Sequence, residues 1–363
     1  MFRTTTNITM IKKLPALLLG LFMLVSSLTD AQDIHFSQFY LSPLNLNPAM
    51  TGVMNCNHRL VANFRNQWAS VLRGNAYNTF SASYDQRIPV ARYDYFGVGG
   101  TLWGDRAGQT KFSTLQGRLS ASYSKKMGGS RNTAHYLVVG ADVGLTQRSV
   151  DYFAAQWGLQ NDNGVFNGGL PSGENNLGRD NFLFADVAAG LLWFSVLDDD
   201  NNFYFGGSYS HLNRANQSFD KSRFQPLWSK FTLHAGGEFM IADRMGLVPG
   251  VVIFLQGPSF ELNAGTSLKF LLSNKNSYDY QAFQAGLWAR VANRYIEKNK
   301  SGYLMDALIL STRFDYNQFS VGFSYDLNVS SLTAASNYNG GFEFSLVYKI
   351  CNPDNRGIYC PNF

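Results

Sequence analysis

The sequence predicts an all-β protein, a transmembrane antiparallel β-barrel of about 14 strands in the outer membrane of a diderm bacterium. Three observations predict this fold. They are a leader typical of exported proteins, segments in which apolar and polar residues alternate, and connections that are alternately short and long. The composition agrees, because 45% hydrophobic residues, with 29 Phe and 19 Tyr, accompany a mean hydropathy of only −0.15. In a membrane barrel, apolar lipid-facing residues alternate with polar lumen-facing ones, so the mean hydropathy of the chain stays low.

Residues 1–31 have the features of a cleavable signal peptide. A positively charged start precedes the uncharged apolar run 14–28. This run is shorter than the ~20 apolar residues that a spanning helix needs. Small residues suit cleavage between Ala31 and Gln32, so we expect an exported protein.

Residues 32–57 precede the first predicted strand, and the strand count places them in the periplasm together with the tail 351–363. The segment carries many large apolar residues, while Pro43 and Pro48 exclude a regular helix or a central strand. So many apolar residues would not stay in water. We therefore expect the segment either to pack into the barrel mouth or to dock a partner.

The barrel is predicted over residues 58–350. In 319–329, large apolar residues occupy the odd positions, and Ser, Gly, Asp and Asn occupy the even ones. This period of two indicates a strand with one apolar and one polar face. The same analysis predicts strands near 58–68, 77–87, 94–104, 111–126, 134–150, 181–196, 203–212, 229–241, 246–255, 259–272, 281–291, 304–314, 317–327 and 340–350.

The connections indicate an orientation. If both termini are periplasmic, the periplasmic connections are all short, as at Ala242–Met245, and the outer ones include Asp151–Asp180 and Asn213–Trp228. Short inner turns and long outer loops are typical of outer-membrane barrels. The short outer turn Gln256–Pro258 is an exception.

Charged residues on the polar strand faces should point into the lumen, because a charge on the lipid face near the midplane costs about 2–4 kcal/mol. A network that fills the lumen is favoured over a solute-selective channel. The predicted lumen charges are Arg59, Arg65, Arg118, Glu238, Glu261, Lys269, Arg290, Arg313 and Glu343.

The sequence indicates no enzyme, no metal site and no cofactor. None of the five His lies in a known catalytic sequence motif. His234 and Glu238 share a strand face but would lie about 13 Å apart, too far for a metal pair. The acidic turn Asp198–Asn202 lacks the spacing of a calcium loop. The net charge of +5 includes no dense basic block, so no nucleic-acid partner is expected.

Three cysteines, Cys56, Cys351 and Cys360, can form one disulfide in an oxidising compartment. Cys351–Cys360 is favoured because short loop closure is entropically easiest. A bridge from Cys56 to either of the others is also geometrically possible, because barrel closure brings the first strand beside the last.

Several motifs resemble the PorP/SprF family of type IX secretion system membrane proteins of the Bacteroidetes. The segment His35–Gly52 is similar to its opening "FSQ…NPA.TG" signature, and Phe64–Trp68 is similar to its "RNQW". The block Phe96–Gly100 and the closing Gly340–Leu346 also fit. The resemblance extends in order over essentially all of 32–363, apart from the Asn- and Gly-rich loop 151–180.

The resemblance implies a non-enzymatic barrel needed for export or surface anchoring of a particular type IX cargo, such as an adhesin with a gliding-type C-terminal sorting domain. It implies as partners that cargo, other type IX secretion components and outer-membrane lipid. The alternative is a diffusive porin or a hydrophobic-solute transporter of the same fold. The candidate partner-binding residues are Phe36, Phe39, Tyr40, Asn47, Pro48, Arg65 and Trp68.

Overall fold

The computed structural model describes residues 33–130, 133–162, 164–174, 177–198, 200–273, 279–297 and 300–351. The predicted signal peptide and the predicted tail beyond Cys351 lie outside the described residues. Within these ranges, no helix combines the length and the apolar character needed to cross a membrane.

Fourteen antiparallel strands of the described chain close into one barrel, which confirms the predicted fold class. Each strand pairs with its neighbour along the chain, and the last strand pairs with the first, where Ile350 lies opposite His58. The strands are β1 His58–Gln67, β2 Tyr77–Pro89, β3 Tyr95–Ala107, β4 Phe112–Gly128, β5 Ala134–Ser149, β6 Asn181–Val196, β7 Asn202–Ser210, β8 Lys230–Ala242, β9 Met245–Gln256, β10 Ser259–Leu271, β11 Gln281–Glu297, β12 Lys300–Tyr316, β13 Phe319–Asn328 and β14 Asn339–Ile350.

Several short helical turns are not part of the strands that form the barrel wall. The segment before β1 holds Phe39–Leu41, Pro43–Leu46 and Pro48–Met50, and the loop after β1 holds Ala69–Leu72 and Arg73–Asn75. Tyr152–Ala154, Gly158–Gln160 and a small hairpin of Asn161–Asp162 with Val165–Phe166 lie between β5 and β6, and Thr333–Ser336 precedes β14.

The largest departure from the predicted boundaries is the hairpin of β11 and β12. The alternation predicts strands ending near 291 and beginning near 304, but the pairing continues to Glu297 opposite Lys300. Beyond the apolar layer of a membrane, neither face of a strand must be apolar. The backbone ladder therefore continues where the alternation of side chains has already ended.

The connections define two ends of the barrel. At the turn end lie the described residues of 90–94, 129–133, 197–201, 243–244, 272–280 and 317–318. At the loop end lie the described residues of 68–76, 108–111, 150–180, 211–229, 257–258 and 329–338. The long connections therefore share one end, as the parity of the predicted strands required.

The two faces of each strand differ as expected for a membrane barrel. In β1, Leu60 and Phe64 are exposed on the outside, whereas Arg59, Asn63 and Arg65 are buried inside. Outward apolar side chains suit lipid, and inward polar ones require partners within the lumen.

Residues 33–57 supply those partners, because they run through the lumen from one end to the other. We call this segment the plug. The backbone N–H of Asp33 donates to Gln256 at the loop end, and Asn57 donates to Ile350 O at the turn end. The expectation of a periplasmic segment is therefore corrected: the plug lies inside the barrel, and its N-terminal end is opposite the end of β14. Its apolar side chains find their cover in the lumen.

The disulfide prediction is also corrected. Cys56 is bonded to Cys351, with 4.3 Å between the Cα atoms, so the favoured bond of Cys351 to Cys360 does not form. Loop-closure entropy favours near neighbours only in an open chain. The closed barrel has already brought Cys56 beside the end of β14.

We predict that Leu119→Arg destabilises the barrel by about 2–4 kcal/mol, because it places a charge at mid-strand on the lipid-facing side of β4. Leu119 is 72% exposed. The matched control is Leu159→Arg, at a position 70% exposed in the loop after β5, which should change stability little. Urea unfolding in lipid vesicles measures both changes, and equal effects would contradict this assignment of the lipid face.

Candidate functional site: the interface between plug and lumen wall

The charged side chains predicted to face the lumen do so. All nine are buried or nearly buried, and each forms an ion pair with another wall residue. Partners that the strand analysis did not single out as lumen charges include Asp85, Asp142, Asp315 and Asp326. Each of these Asp residues occupies a lumen-facing position in the alternating pattern of its strand, and this position could have identified it from the sequence.

The first anchor of the plug is the dipeptide Ser37–Gln38. The backbone N–H groups of Ser37 and Gln38 donate to the two carboxylate oxygens of Glu343, at 2.6 and 2.9 Å. The Ser37 hydroxyl lies 2.9 Å from both carboxylate oxygens of Asp326. Charge-assisted hydrogen bonds of this kind are stronger than neutral ones. The wall carboxylates therefore satisfy plug backbone that would otherwise lose its hydrogen bonds.

Two arginines hold those carboxylates in place. Arg290 lies 2.8 Å from Asp326 and also contacts the Ser37 hydroxyl. Arg65 lies 3.2 Å from Asp326 and 3.4 Å from Glu343, and it donates to the carbonyl oxygen of His35 at 2.7 Å. Four strands, β1, β11, β13 and β14, thus converge on one turn of the plug.

Asn47 is the second anchor, near the middle of the lumen. Its side-chain amide donates to Leu191 O at 2.9 Å and Gly207 O at 3.2 Å, and it lies 3.0 Å from His234 Nε2. Its side-chain oxygen accepts the N–H of Ala49 and so caps the helical turn Pro48–Met50. One side chain both begins a local turn and joins it to three strands.

Glycines in the wall make room for the plug. A Cβ atom at Gly140 would lie 2.6 Å from backbone atoms of Ala49, and one at Gly190 would lie 1.9 Å from the side-chain oxygen of Asn47. At Gly97 a Cβ would lie 2.2 Å from Thr51 O. The plug therefore approaches the wall more closely than any other residue type would permit.

The third anchor is at Thr51–Gly52, toward the turn end. Ser122 donates to Thr51 O at 2.6 Å, and the N–H of Gly52 donates to Asp85 at 2.7 Å. Gly52 has a φ of +70°, in the left-handed region that favours glycine. Arg59 pairs with Asp85 at 2.7 Å and donates to Met50 O, so this anchor repeats the arginine–carboxylate arrangement of the first.

The other face of the plug is apolar and packs on an apolar part of the lumen wall. Phe39 makes an edge-on contact with Trp288, and Tyr40 stacks on the same ring at 5.2 Å. These contacts belong to a buried cluster that extends from β3 to β12. It comprises Phe39, Leu46, Ala49, Met50, Val53, Tyr95, Tyr136, Val138, Leu192, Phe194, Val196, Tyr204, Val252, Phe254, Trp288, Ala307 and Ile309.

At the loop end, a histidine holds the start of the plug. His211 lies just beyond β7, and its two ring nitrogens face Asp33 at 2.5 Å and Asp186 at 2.8 Å. Burial by itself lowers the pKa of His211, because it disfavours the charged form. The carboxylates of Asp33 and Asp186 have a larger, opposite effect, so the pKa is raised to about 9. At neutral pH the imidazolium therefore bridges the plug to the wall.

The candidate partner-binding residues lie mostly within this interface. Phe36, Phe39, Asn47, Pro48 and Arg65 are buried. Tyr40 packs on Trp288, and Trp68 lies at the loop end, where its N–H donates to Gly340 O. Contact of the buried residues with a partner would require the plug to move. The described residues contain no group of three or more His, Cys, Asp or Glu side chains suited to a metal ion.

Comparison with known families gives one match over most of the chain. The family described as "Type IX secretion system membrane protein PorP/SprF" matches residues 28–348. No protein with a curated function matches.

Solved structures with a similar fold are bacterial barrels. CdiB from Acinetobacter baumannii is 8% identical with a TM-score of 0.42, and the alignment covers 82% of this chain and 60% of CdiB. The toluene transporter TodX from Pseudomonas putida is 12% identical with a TM-score of 0.42, over 84% of this chain and 91% of TodX. The chain thus spans less than two thirds of the CdiB structure.

We predict that Gly140→Ala weakens the packing of the plug and lowers barrel stability by about 1–3 kcal/mol, because its Cβ would meet plug backbone. Gly117→Ala is the matched control, since its Cβ meets nothing closer than Leu102 at 4.0 Å. Resistance to heat in detergent and cleavage of the plug by protease report the effect. If the two variants behave alike, the close approach of plug and wall is wrong.

We further predict that Glu343→Ala costs about 3–5 kcal/mol, because it leaves Arg65 and two plug N–H groups without their carboxylate. Lys111→Ala breaks the exposed pair of Lys111 with Asp151 and should cost less than about 1 kcal/mol. Urea unfolding compares the two. A small loss for Glu343→Ala would show that the anchor contributes little.

Proposed function

The chain belongs to the PorP/SprF family of type IX secretion system membrane proteins, and we propose that it supports export or surface anchoring of one secreted surface protein. In this proposal the cargo carries a type IX C-terminal sorting domain, and other components of the secretion system and outer-membrane lipid are further partners. The barrel acts as a fixed docking platform, without an enzymatic step.

The observation that carries this proposal is the filled lumen. The plug runs from Asp33 at the loop end to Asn57 at the turn end, and inward apolar residues such as Leu192 and Phe194 pack against it or its neighbours. A water-filled pore would expose that apolar wall, at a cost of about 25 cal/mol for each Å². The lumen is therefore better suited to hold a protein core than to conduct solutes.

A docking platform also needs an accessible surface, and the loop end offers one. The long loop after β5 is tied to the loop 211–229, because Arg179 donates two hydrogen bonds to Ser218 O. Phe219 lies between the rings of Phe112 and Phe182, which fixes the base of both loops. Exposed apolar side chains on these loops are Phe153, Leu159, Val165, Phe166, Leu212 and Phe224. Such residues above a membrane favour contact with protein.

A diffusive porin or hydrophobic-solute transporter is the competing function. The apolar lumen wall favours an apolar solute over a polar one, but the plug occupies that space. Planar-bilayer recordings distinguish the two functions. We expect no steady open-channel current from the intact protein, whereas a steady current would favour the porin.

We predict that clean deletion of the gene removes one protein from the cell surface and leaves uptake of small solutes unchanged, because a plugged barrel contributes little permeability. Protease shaving with mass spectrometry compares the surface proteins of the two strains, and solute uptake is measured in parallel. Complementation with Leu159→Arg, a change in an exposed loop, tests whether the loop end contributes to retention.

The control for that complementation is Lys221→Ala, in the neighbouring loop 211–229. An unchanged surface proteome together with slower solute uptake would contradict the proposed function and favour the porin.

A further inference from the structure

A groove of about 950 Å³ lies on the lipid-facing surface of the barrel, across β14 and β1 to β6. Its floor is formed by small outward residues, since Ala62 lies opposite Ala82 in the sheet, and Gly100 and Gly117 follow on β3 and β4. The larger exposed side chains beside this floor are Leu60, Tyr84, Leu102, Leu119, Leu145 and Leu346. The groove therefore lies within the apolar layer of the membrane.

The packing of the wall does not require the two glycines of this floor. A Cβ atom at Gly117 would meet only Leu102, at 4.0 Å, and one at Gly100 would approach no other part of the described chain closer than 3.5 Å. At Gly140, by contrast, a Cβ would collide with the plug. Glycine weakens a strand interior, because it has no side chain to pack. These two glycines therefore serve the space that they leave open outside the barrel.

A second, polar pocket of about 390 Å³ lies at the loop end of the same strands. A row of lining residues crosses β3 to β6, because each lies opposite the next in the sheet: Arg106, Ser113, Ser149 and Asn181. The row lies just beyond exposed apolar residues such as Leu115 and Leu183. The pocket is therefore at the border of the apolar layer, on the side of the long loops.

The polar pocket contains charges of both signs. Lys111 and Asp151 form an exposed pair at 3.4 Å, and Asp151 also accepts two backbone N–H groups of the turn that follows it. Arg106 and Asp180 are exposed and form no ion pair within the described part of the chain. One cationic and one anionic side chain are thus available to a ligand that carries both charges.

We propose that the groove and the polar pocket together bind one phospholipid of the loop-side leaflet, with a zwitterionic headgroup that carries a phosphate and an amine, as in phosphatidylethanolamine. The acyl chains lie in the groove, the guanidinium of Arg106 binds the phosphate, and the carboxylate of Asp180 binds the ammonium group. The proposal is independent of which cargo the barrel serves.

Spacing and charge both favour this occupant. Along β4, Gly117 in the groove lies four residues from Ser113 in the pocket, which is about 13 Å in a strand. A phospholipid spans such a distance, because a short glycerol unit joins its charged headgroup to its acyl chains. A guanidinium matches the geometry of a phosphate. A lipid with a phosphate but no amine would leave Asp180 next to a like charge, so a zwitterionic headgroup is favoured over a purely anionic one.

Native mass spectrometry of the purified barrel, with phosphatidylethanolamine added in detergent, tests the groove. Ala82→Leu fills the floor and should lower the bound fraction about tenfold, because a bulkier residue takes the space of the acyl chain. Ala285→Leu is the matched control, since Ala285 is an exposed alanine of β11 outside the groove. Heat resistance in detergent verifies that both variants are folded.

Two results of this comparison would overturn the proposal. The first is equal lipid retention by Ala82→Leu and Ala285→Leu. The second is a dimer of the unsubstituted protein that Ala82→Leu dissociates, because a second copy of the chain would then occupy the groove.

Competition between phosphatidylethanolamine and phosphatidylglycerol with identical acyl chains tests the headgroup. The unsubstituted protein should prefer phosphatidylethanolamine, because phosphatidylglycerol has no ammonium group to pair with Asp180. Asp180→Asn should abolish this preference, whereas Glu174→Gln, in the same loop but outside the pocket, should keep it. Arg106→Gln should weaken binding of both lipids, unlike Arg73→Gln at the loop end.

A preference that is absent from the unsubstituted protein, or that survives Asp180→Asn, would overturn the zwitterionic assignment. Equal binding by Arg106→Gln and Arg73→Gln would overturn the phosphate contact. These measurements involve no cargo, so their failure is distinct from a deletion strain that keeps all its surface proteins.

Discussion

The contact between the wall carboxylates and the backbone of the plug is the interaction on which the rest of the structure depends. A closed barrel of fourteen strands encloses a volume that water or protein must fill. Glu343, Asp326 and Asp85 accept hydrogen bonds from plug groups, and Arg65, Arg290 and Arg59 neutralise them from the wall. Inside the lumen, each of these groups satisfies another that has left water.

The same interface explains the family motifs in physical terms. Ser37–Gln38, Asn47–Ala49 and Thr51–Gly52 are three places where the plug is hydrogen-bonded to the wall. Arg65 belongs to the separate motif 64–68, yet it binds the first of these places. The motifs are therefore two halves of one interface, and contact of their buried residues with cargo would require the plug to move.

The composition of this interface argues against a removable gate. Its polar anchors alternate with an apolar cluster that includes Trp288 and Phe194, and withdrawal of the plug would expose that cluster to water. The plug thus completes the hydrophobic core of the barrel, because plug and wall residues together form the buried cluster. Lipid covers the outside, where Leu119 and Leu145 are among the most exposed apolar side chains of the wall.

The sequence by itself determined the strands, because lipid outside and polar groups inside impose a period of two on each one. It also indicated the inward direction of charges such as Arg290 and Glu343. Only the tertiary structure decided the position of 33–57 and the pairing of Cys56 with Cys351. These depend on closure between β1 and β14, which joins residues far apart in the chain. Local patterning ends at each strand and carries no information about what fills the space that closure creates.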